Sequence, residues 1–263
     1  MSRRLDNVDC LDLLSSLDDC SVDLVLTDPP YYIGFDGGKG WDSIWKTEQD
    51  YLDWCMEWTK ECVRVLKPHR CLYVWGTTKT DTFLKYKLDV LNSFDEMVYQ
   101  NWIIWSYDWG GRTQKNFARK HEDLLMYSKV NKKLKKKNDR EEFLFNKDDV
   151  RVPYVMKKSV RKNVQLNPLG KIPTDVWQKN NHTTSKEYAG WHPTQKPLEL
   201  LSRIIKANTN PGDLVLDCFS GSGSTAVACS LNNRSFVGSE LDKEYYEQSL
   251  TRLDELTGIL KYA

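Results

Sequence analysis

A short hydrophobic strand that ends on an acidic residue is the feature that most restricts how this chain can fold. The run from Ser21 to Thr27 is rich in β-branched and apolar residues, and Asp28-Pro29-Pro30-Tyr31 follows it. Such a run predicts a buried strand of an α/β sheet. Because ligands bind beyond the carboxyl ends of the strands in open α/β sheets, we expect Asp28 to lie at the mouth of a site.

The tetrapeptide after this strand combines groups that suit a planar ligand bearing an amino nitrogen. The two prolines fix two φ angles and remove two backbone donors, so that carbonyl oxygens are presented in a stiff arrangement. A carboxylate and a carbonyl can accept two N–H bonds, while the ring of Tyr31 stacks on a heterocycle. A plain loop after a strand has the same sequence pattern, so the tetrapeptide alone leaves both interpretations open.

A second strand that ends on an acidic residue lies near the C-terminus. The run 214–217 ends on Asp217, and the small-residue turn Cys218-Phe219-Ser220-Gly221-Ser222-Gly223 leads into a helix. The next predicted strand, 235–239, ends on Glu240, about twenty positions after the glycines, where Rossmann folds place the carboxylate that binds ribose hydroxyls. The pattern predicts a cofactor that contains a nucleoside. Since three spaced glycines are absent, it argues against NAD.

The net charge of +1 conceals an uneven distribution. Residues 131–190 hold 15 Lys and Arg against 7 Asp and Glu, while the remainder holds 23 against 30. Aromatic residues, Trp177 among them, are interleaved with the basic ones. This pattern favours a nucleic-acid surface, with a solvated flexible arm as the alternative.

Between these motifs, hydrophobic periodicity predicts further elements. We expect an edge strand over 3–8, helices over 48–66, 80–91 and 198–208, and strands over 71–76, 102–105 and 123–128. Residues 33–40 contain four glycines and predict a mobile loop beside the site. Asp9 suits a helix cap and a ligand contact equally. His121 and Glu122 suit a structural role or a substrate contact better than a catalytic one.

The cysteines and the hydropathy restrict the cellular setting. Seven cysteines are scattered without a CxxC pair, which is typical of reduced thiols in a cytoplasmic protein and predicts no metal site. No apolar run has membrane-spanning length, and the first residues form no signal-peptide pattern, so we expect no membrane partner.

Three motifs in one order resemble the amino-methyltransferases that use S-adenosylmethionine on exocyclic nitrogens of DNA bases. They are Asp28-Pro29-Pro30-Tyr31, His192-Pro193-Thr194-Gln195-Lys196-Pro197 and the turn 217–223. The catalytic motif precedes the cofactor turn, as in the circularly permuted β group of that family. The resemblance implies a Rossmann-like, mostly parallel seven-stranded sheet with helices on both faces. It also implies a catalytic half over 1–130, a basic target-recognition insertion over 131–190 and a cofactor-binding half over 191–263.

The same resemblance implies roles for individual residues. The catalytic set is Asp28, Pro29, Pro30 and Tyr31. Phe219, Gly221, Ser222 and Gly223 would line the methionine side of the cofactor, Glu240 its ribose, Asp9 and Cys10 its adenine ring, and Thr194 and Lys196 its carboxylate end. Asp28, Asp217 and Ser220 complete the cofactor set. The expected DNA contacts are Lys39, Arg112, Lys115, Arg119, Lys120, Lys157, Lys158, Arg161 and Lys162.

The implied function is methyl transfer to N6 of an adenine flipped out of double-stranded DNA at a specific site. Asp rather than Ser at the first motif position is commoner among adenine N6 enzymes than among cytosine N4 enzymes. Cytosine N4 methylation and a non-catalytic DNA-binding module on the same fold are the alternatives. RNA and protein-glutamine methyltransferases share a Pro-Pro-Tyr motif, but usually with the cofactor turn before it. A homodimer and a cognate restriction endonuclease are the further partners that the family suggests.

Overall fold

The computed structural model describes residues 2–130, 142–154, 165–180 and 187–259. In chain order its elements are β1 (Arg3–Asp6), α1 (Cys10–Ser15), β2 (Val22–Thr27), α2 (Glu48–Val65), β3 (Leu66–Gly76), α3 (Thr82–Lys85), β4 (Met97–Ser106), β5 (His121–Lys129), β6 (Val176–Gln178), α4 (Leu198–Asn208), β7 (Leu214–Asp217), α5 (Ser224–Leu231), β8 (Ser235–Ser239) and α6 (Lys243–Ile259).

The strands form one sheet in the order β1-β8-β7-β2-β3-β5-β4-β6. Five neighbouring pairs are parallel, and only β5 runs antiparallel to its neighbours β3 and β4. The Rossmann-like, mostly parallel sheet is therefore confirmed. The expected number of seven strands was wrong, because β6 adds an eighth strand at the edge beside β4.

The core occupies both faces of this sheet. One buried cluster joins α1, α2 and Tyr86 to one face, and another joins α4, α5 and α6 to the opposite face. The predicted helix over 48–66 is α2, which begins at the capping box of Thr47 and Asp50. No helix in the described ranges is long and apolar enough to cross a bilayer.

The helix predicted over 80–91 is more irregular than expected. The short helix α3 passes into a π-helical turn, Tyr86–Val90, and then into a 3₁₀ turn, Leu91–Ser93. The side chain of Tyr86 is buried and its hydroxyl lies 3.0 Å from Thr59 Oγ1 of α2. Packing against α2 thus overrides the regular periodicity at this point.

Several residues from the predicted basic insertion pack against the sheet domain. Trp177 in β6 is buried, and the Arg203 guanidinium lies 5.0 Å from its ring centroid. The Leu144 amide donates to the His69 carbonyl, and the Asn146 amide donates to the Ala207 carbonyl. The expectation that Trp177 contributes to a nucleic-acid surface was therefore wrong, since burial removes its ring from any such contact.

The sheet order places the two acidic strand ends side by side. Strand β2 is hydrogen-bonded to β7 in parallel register, with Val25 opposite Leu216. The Thr27 hydroxyl, at the end of β2, donates to Asp217 Oδ1 at 3.0 Å. Residues that follow β2 and residues that follow β7 consequently meet at one edge of the sheet.

Candidate active site

Asp28 lies just after β2, and two side chains donate to its carboxylate. The Tyr31 hydroxyl donates to Asp28 Oδ1 at 2.5 Å, and Lys196 Nζ donates to Asp28 Oδ2 at 2.5 Å. Lys196 is only 4% exposed, whereas Asp28 is 20% exposed. The catalytic motif and the His192–Pro197 motif therefore meet through a largely buried ion pair.

Glu122, at the start of β5, completes this polar network. Its Oε2 lies 3.2 Å from Lys196 Nζ and accepts a 3.4 Å hydrogen bond from the Tyr31 hydroxyl. Burial raises the pKa of Glu122, although Lys196 opposes part of that effect. Burial would lower the pKa of Lys196, but the carboxylates of Asp28 and Glu122 outweigh it, so that its pKa is raised. One buried ammonium thus compensates two carboxylates.

The two prolines of the motif have different backbone partners. The Tyr51 hydroxyl donates to the Pro30 carbonyl at 2.8 Å, which anchors the turn to α2. Among the described residues, none donates a hydrogen bond to the Pro29 carbonyl. Pro29 therefore retains an acceptor next to the carboxylate of Asp28, as the sequence predicted for a ligand amino group.

A cavity of about 410 Å³ opens in front of Asp28, Pro29 and Tyr31. Its walls are largely aromatic and also contain a few charged groups. They include Ile33, Phe35, Trp41, Trp105, Tyr107, Trp109, Arg119, His121, Glu122 and Thr194. Such a cavity suits a planar heterocycle that enters edge-on toward the carboxylate. We call it the base cavity.

Two further cavities lie on the other side of Asp28. A small one of about 30 Å³ is bordered by Asp28, Thr194 and the turn after β7. A larger one of about 420 Å³ is bordered by Asp9, Cys10, Trp41, Trp54 and Glu240. Phe219 borders both, and we call the two together the cofactor cavity. Asp28 and Thr194 form part of the wall of both the base cavity and the small cavity.

Glu240 follows β8, and its carboxylate is hydrogen-bonded to the glycine turn after β7. The Gly221 amide donates to Glu240 Oε2 at 2.7 Å, and the Asp242 amide donates to Oε1 at 2.9 Å. Burial raises the pKa of Glu240 to about 7, although these backbone bonds partly oppose it. A carboxylate in this position can accept hydrogen bonds from the vicinal hydroxyls of a ribose.

The residues of the cofactor cavity fit S-adenosylmethionine. Ser220 Oγ is buried at the small cavity, and the described part of the chain offers it no hydrogen-bond partner, so a polar ligand group would satisfy it. The larger cavity has apolar walls for an adenine ring and Glu240 for a ribose. His192 lies between the two, and burial lowers its pKa to about 3, so its ring is neutral near pH 7.

Comparison with known proteins agrees with this geometry. The DNA methylase family (N6_N4_Mtase) matches residues 22–251, most of the chain. The chain belongs to the DNA methylase family. It is an S-adenosylmethionine-dependent DNA methyltransferase, and the predicted family, activity and cofactor are confirmed.

Two curated relatives resemble this methylase over most of its length. "Type II methyltransferase M.HpaI" of Haemophilus parainfluenzae is 36% identical over 254 residues, which cover 97% of this chain and 75% of that protein. "DNA adenine methyltransferase YhdJ" of Escherichia coli (strain K12) is 36% identical over 245 residues, or 89% and 76% of the two chains.

A solved structure, that of the M1.HpyAVI–SAM complex, has the same fold. Its TM-score against this methylase is 0.61, with 25% sequence identity, and the alignment covers 95% of this chain and 98% of that one. The fold and the cofactor class of the methylase thus agree with an experimentally determined relative.

The structure places most of the predicted cofactor residues on the walls of the cofactor cavity, and some of them also have partners within the protein. Lys196, expected at the carboxylate end of the cofactor, borders the small cavity and is also bound to Asp28 and Glu122. Asp9 caps α1 by accepting from the Leu11 amide at 2.8 Å, and it also borders the cofactor cavity. Asp217 is buried at the end of β7, where burial raises its pKa to about 6. Its carboxylate accepts from the Phe219 amide.

The predicted DNA contacts are found in three different places. Lys39 is paired with Asp242 and Glu244 beside the cofactor cavity, not at the base cavity. Arg112, Lys115, Arg119 and Lys120 lie on the loop between β4 and β5, and of these four Arg119 borders the base cavity. Lys157, Lys158, Arg161 and Lys162 lie outside the described residues.

Glu122, for which the sequence predicts a structural role or a substrate contact, borders the base cavity and is bonded to both Tyr31 and Lys196. Its position directly at the start of a strand was the available signal, but nothing in the sequence indicates that this strand end faces the end of β2.

Proposed function

We propose that this methylase transfers a methyl group to the exocyclic N6 of an adenine that is flipped out of double-stranded DNA at a specific site. The observation that carries the proposal is the position of Asp28 on the wall shared by the base cavity and the cofactor cavity. A base in the first cavity and a methyl donor in the second would meet at this residue.

The residues around Asp28 can position the amino group of the base. The Asp28 carboxylate and the Pro29 carbonyl accept its two N–H bonds, which favours a pyramidal nitrogen whose lone pair is directed at the cofactor cavity. Each carboxylate oxygen has more than one acceptor site, so the bonds from Tyr31 and Lys196 leave room for a further donor. Holding both reactants in line lowers the barrier.

S-adenosylmethionine supplies an electrophilic methyl group on a sulfonium sulfur. The amino nitrogen forms a bond to that methyl as the sulfur–carbon bond breaks, and the sulfur keeps the electron pair. Asp28 stabilises the positive charge that develops on the nitrogen. The methylated nitrogen is acidic enough to lose its extra proton afterwards to solvent, so Asp28 need not act as a strong base.

Access to the amino group requires base flipping. Inside a duplex, the exocyclic nitrogen cannot reach a buried carboxylate in this geometry, so the nucleotide must leave the stack. The aromatic walls of the base cavity, Tyr31 among them, provide stacking surfaces for the extruded ring. In this proposal, the basic residues on the loop between β4 and β5 contact the neighbouring phosphates.

Two observations favour adenine as the target base. The motif begins with Asp28, the residue commoner among adenine enzymes, and the relative YhdJ is named a DNA adenine methyltransferase. Cytosine N4 is the competing target, because its amino group would make the same two hydrogen bonds to Asp28 and Pro29.

Modification mapping tests the proposal directly. The purified methylase is incubated with unmodified genomic DNA and S-adenosylmethionine carrying a labelled methyl group, and the product is digested to nucleosides and sequenced by a modification-sensitive method. We expect labelled N6-methyl-2′-deoxyadenosine at one sequence motif. Label in N4-methyl-2′-deoxycytidine would show that cytosine is the target base, and label scattered over unrelated sequences would contradict site specificity.

Substitution of Asp28 tests the role of the carboxylate. Asp28→Ala should abolish methyl transfer while S-adenosylmethionine still binds measurably by calorimetry. Asp254→Ala, at an exposed position of α6, is the matched control and should keep full activity. Retained turnover by Asp28→Ala would refute the assigned role.

The remaining features of the proposal concern organisation and setting. We infer membership of the circularly permuted group, a division at about 130 and 190, and action in the cytoplasm, where the seven free cysteines stay reduced. A homodimer and a cognate restriction endonuclease are proposed as partners. Analytical ultracentrifugation tests the dimer, and a search for a nuclease that cleaves the mapped motif tests the second partner.

A further inference from the structure

The loop between β4 and β5, residues 107–120, forms an aromatic wall from the base cavity to the surface. The ring centroids of Trp105 and Tyr107 are 5.2 Å apart in an edge contact, and those of Tyr107 and Trp109 are 4.6 Å apart in a stack. All three residues border the base cavity. Trp105 is buried whereas Trp109 is 47% exposed, so this row of rings leads outward from the site.

Hydrogen bonds fix the two ends of this loop. The Tyr107 amide donates to the Lys120 carbonyl at 3.0 Å, and Lys120 Nζ donates to the carbonyls of Trp109 and Gly110, both at 2.8 Å. The Asp108 amide donates to Asn180 Oδ1 at 2.8 Å. The loop is therefore anchored near both of its ends, and residues 111–119 lie between these anchors.

Phe117 lies between these anchors and is completely exposed, at 101% of its reference surface. It precedes Arg119, which borders the base cavity, by two residues, so their Cα atoms are separated by at most about 7 Å. An apolar ring that is fully exposed gains free energy from burial in a partner. Its position beside a base-sized cavity indicates where that partner lies.

The charge of the loop indicates the kind of partner. Residues 107–120 contain Arg112, Lys115, Arg119 and Lys120 against the single acidic residue Asp108. A positively charged loop around an exposed aromatic ring is complementary to a polyanion that contains stacked rings. Double-stranded DNA has both properties.

We propose that Phe117 is a positioning residue that enters the base stack at the place from which the target nucleotide leaves, while Arg112 and Lys115 contact the flanking phosphates. This inference rests on the proposed function. Extrusion of a base removes its stacking on both neighbours, and an inserted apolar side chain replaces part of that stacking. The aromatic row Trp105-Tyr107-Trp109 would then lie along the path of the extruded base.

The test compares two duplexes that contain the mapped target motif. In one, the target base is normally paired; in the other, it lies opposite an abasic position and is already weakly held. We expect Phe117→Ala to lower kcat/KM for the paired duplex by about tenfold and for the abasic duplex by less than about threefold. Phe117→Trp should keep most of the activity on both.

A fluorescent readout separates extrusion from affinity. With 2-aminopurine as the target base, the wild-type methylase should raise the fluorescence of the paired duplex, and Phe117→Ala should raise it less at saturating protein. Leu84→Ala is the matched control, because Leu84 is an exposed apolar residue that borders none of the cavities described above. It should behave as wild type.

The outcomes distinguish the proposed insertion of Phe117 from the methyl-transfer function on which that proposal rests. Equal losses on the two duplexes, or an unchanged kcat/KM on the paired one, would overturn the role of Phe117 and leave methyl transfer established. If the wild-type chain methylates neither duplex, the proposed function is refuted, and the proposed role of Phe117 is refuted with it. Because Phe117 is fully exposed, its replacement should leave the thermal unfolding midpoint unchanged.

Discussion

Lys196 Nζ lies 2.5 Å from Asp28 Oδ2, although 168 residues separate the two in sequence. The pair joins the catalytic motif after β2 to the segment that precedes α4, and Glu122 Oε2 lies 3.2 Å from the same ammonium. A lysine that is only 4% exposed is held here by carboxylates on two different strand ends. This lysine therefore links the catalytic motif after β2 to the start of β5.

Removal of the buried cation should leave two carboxylates facing each other. In Lys196→Met, a side chain of similar length keeps the packing but no charge compensates Asp28 and Glu122. We expect a loss of about 3 kcal/mol in the free energy of unfolding, measured by urea denaturation. We also expect methyl transfer to fall by at least about a hundredfold, as the orientation of Asp28 is lost.

A second substitution separates charge from packing. If repulsion between the carboxylates causes the loss, Lys196→Met combined with Glu122→Gln should recover part of the stability, because only one carboxylate remains. Additive losses in this double-mutant cycle would contradict the proposed coupling.

Gly221 should tolerate no side chain. Its φ is +50°, and a Cβ at this position would lie 2.7 Å from His192 Nε2. Gly221→Ala should therefore weaken S-adenosylmethionine binding by about tenfold or more, measured by isothermal titration calorimetry. Gly258→Ala is the control, since a Cβ there meets open space in helix α6. It should bind the cofactor normally and gain about 0.5–1 kcal/mol in stability.

Cofactor binding should depend on pH through Glu240. Burial raises its pKa to about 7, so this carboxylate, for which we predict hydrogen bonds from the ribose hydroxyls, is ionised above that value and protonated below it. Affinity for S-adenosylmethionine should be constant above pH 7 and should fall by up to about tenfold for each pH unit below it. His192, with its pKa lowered to about 3, does not titrate in this range.

Glu240→Gln is the variant that isolates this effect. The amide keeps the size of the side chain and cannot ionise, so its affinity should be lower at high pH and nearly independent of pH. A variant that retains the wild-type pH profile would assign the dependence to another group, of which Asp217, with a pKa of about 6, is the nearest candidate.

The glycine-rich loop should retain the cofactor through Lys39. Lys39 Nζ lies 2.5 Å from Glu244 Oε2 and 3.4 Å from Asp242 Oδ2, and it borders the cofactor cavity. In Lys39→Met, we expect S-adenosylmethionine to dissociate about two to five times faster in stopped-flow measurements. Added salt should speed dissociation from the wild type and have little effect on the variant. If salt changed the dissociation rate of the wild type and of Lys39→Met equally, this ion pair would not be what retains the cofactor.

Some contacts could not be predicted because they depend on how distant segments pack. The family resemblance predicts a DNA contact for Lys39, and no pattern in the sequence indicates that folding pairs this residue with Asp242 and Glu244 beside α6. The sequence predicts that Trp177 belongs to a basic, aromatic surface, but the edge strand β6 pairs with β4 and buries the ring. Charge and aromatic content indicate what a segment can contact, but not which side of it faces the core.

The sequence by itself determined the strand that ends on Asp217, the strands directly followed by Asp28 and Glu240, the helix Leu198–Asn208 and the family to which the chain belongs. Those features are local, because apolar periodicity and turn residues act over a few positions. Only the tertiary structure decided that β2 and β7 are neighbours, that Lys196 is buried between Asp28 and Glu122, and that Phe117 is exposed beside the base cavity. Burial and charge pairing arise between residues brought together by the sheet order, and no pattern within a single segment encodes that order.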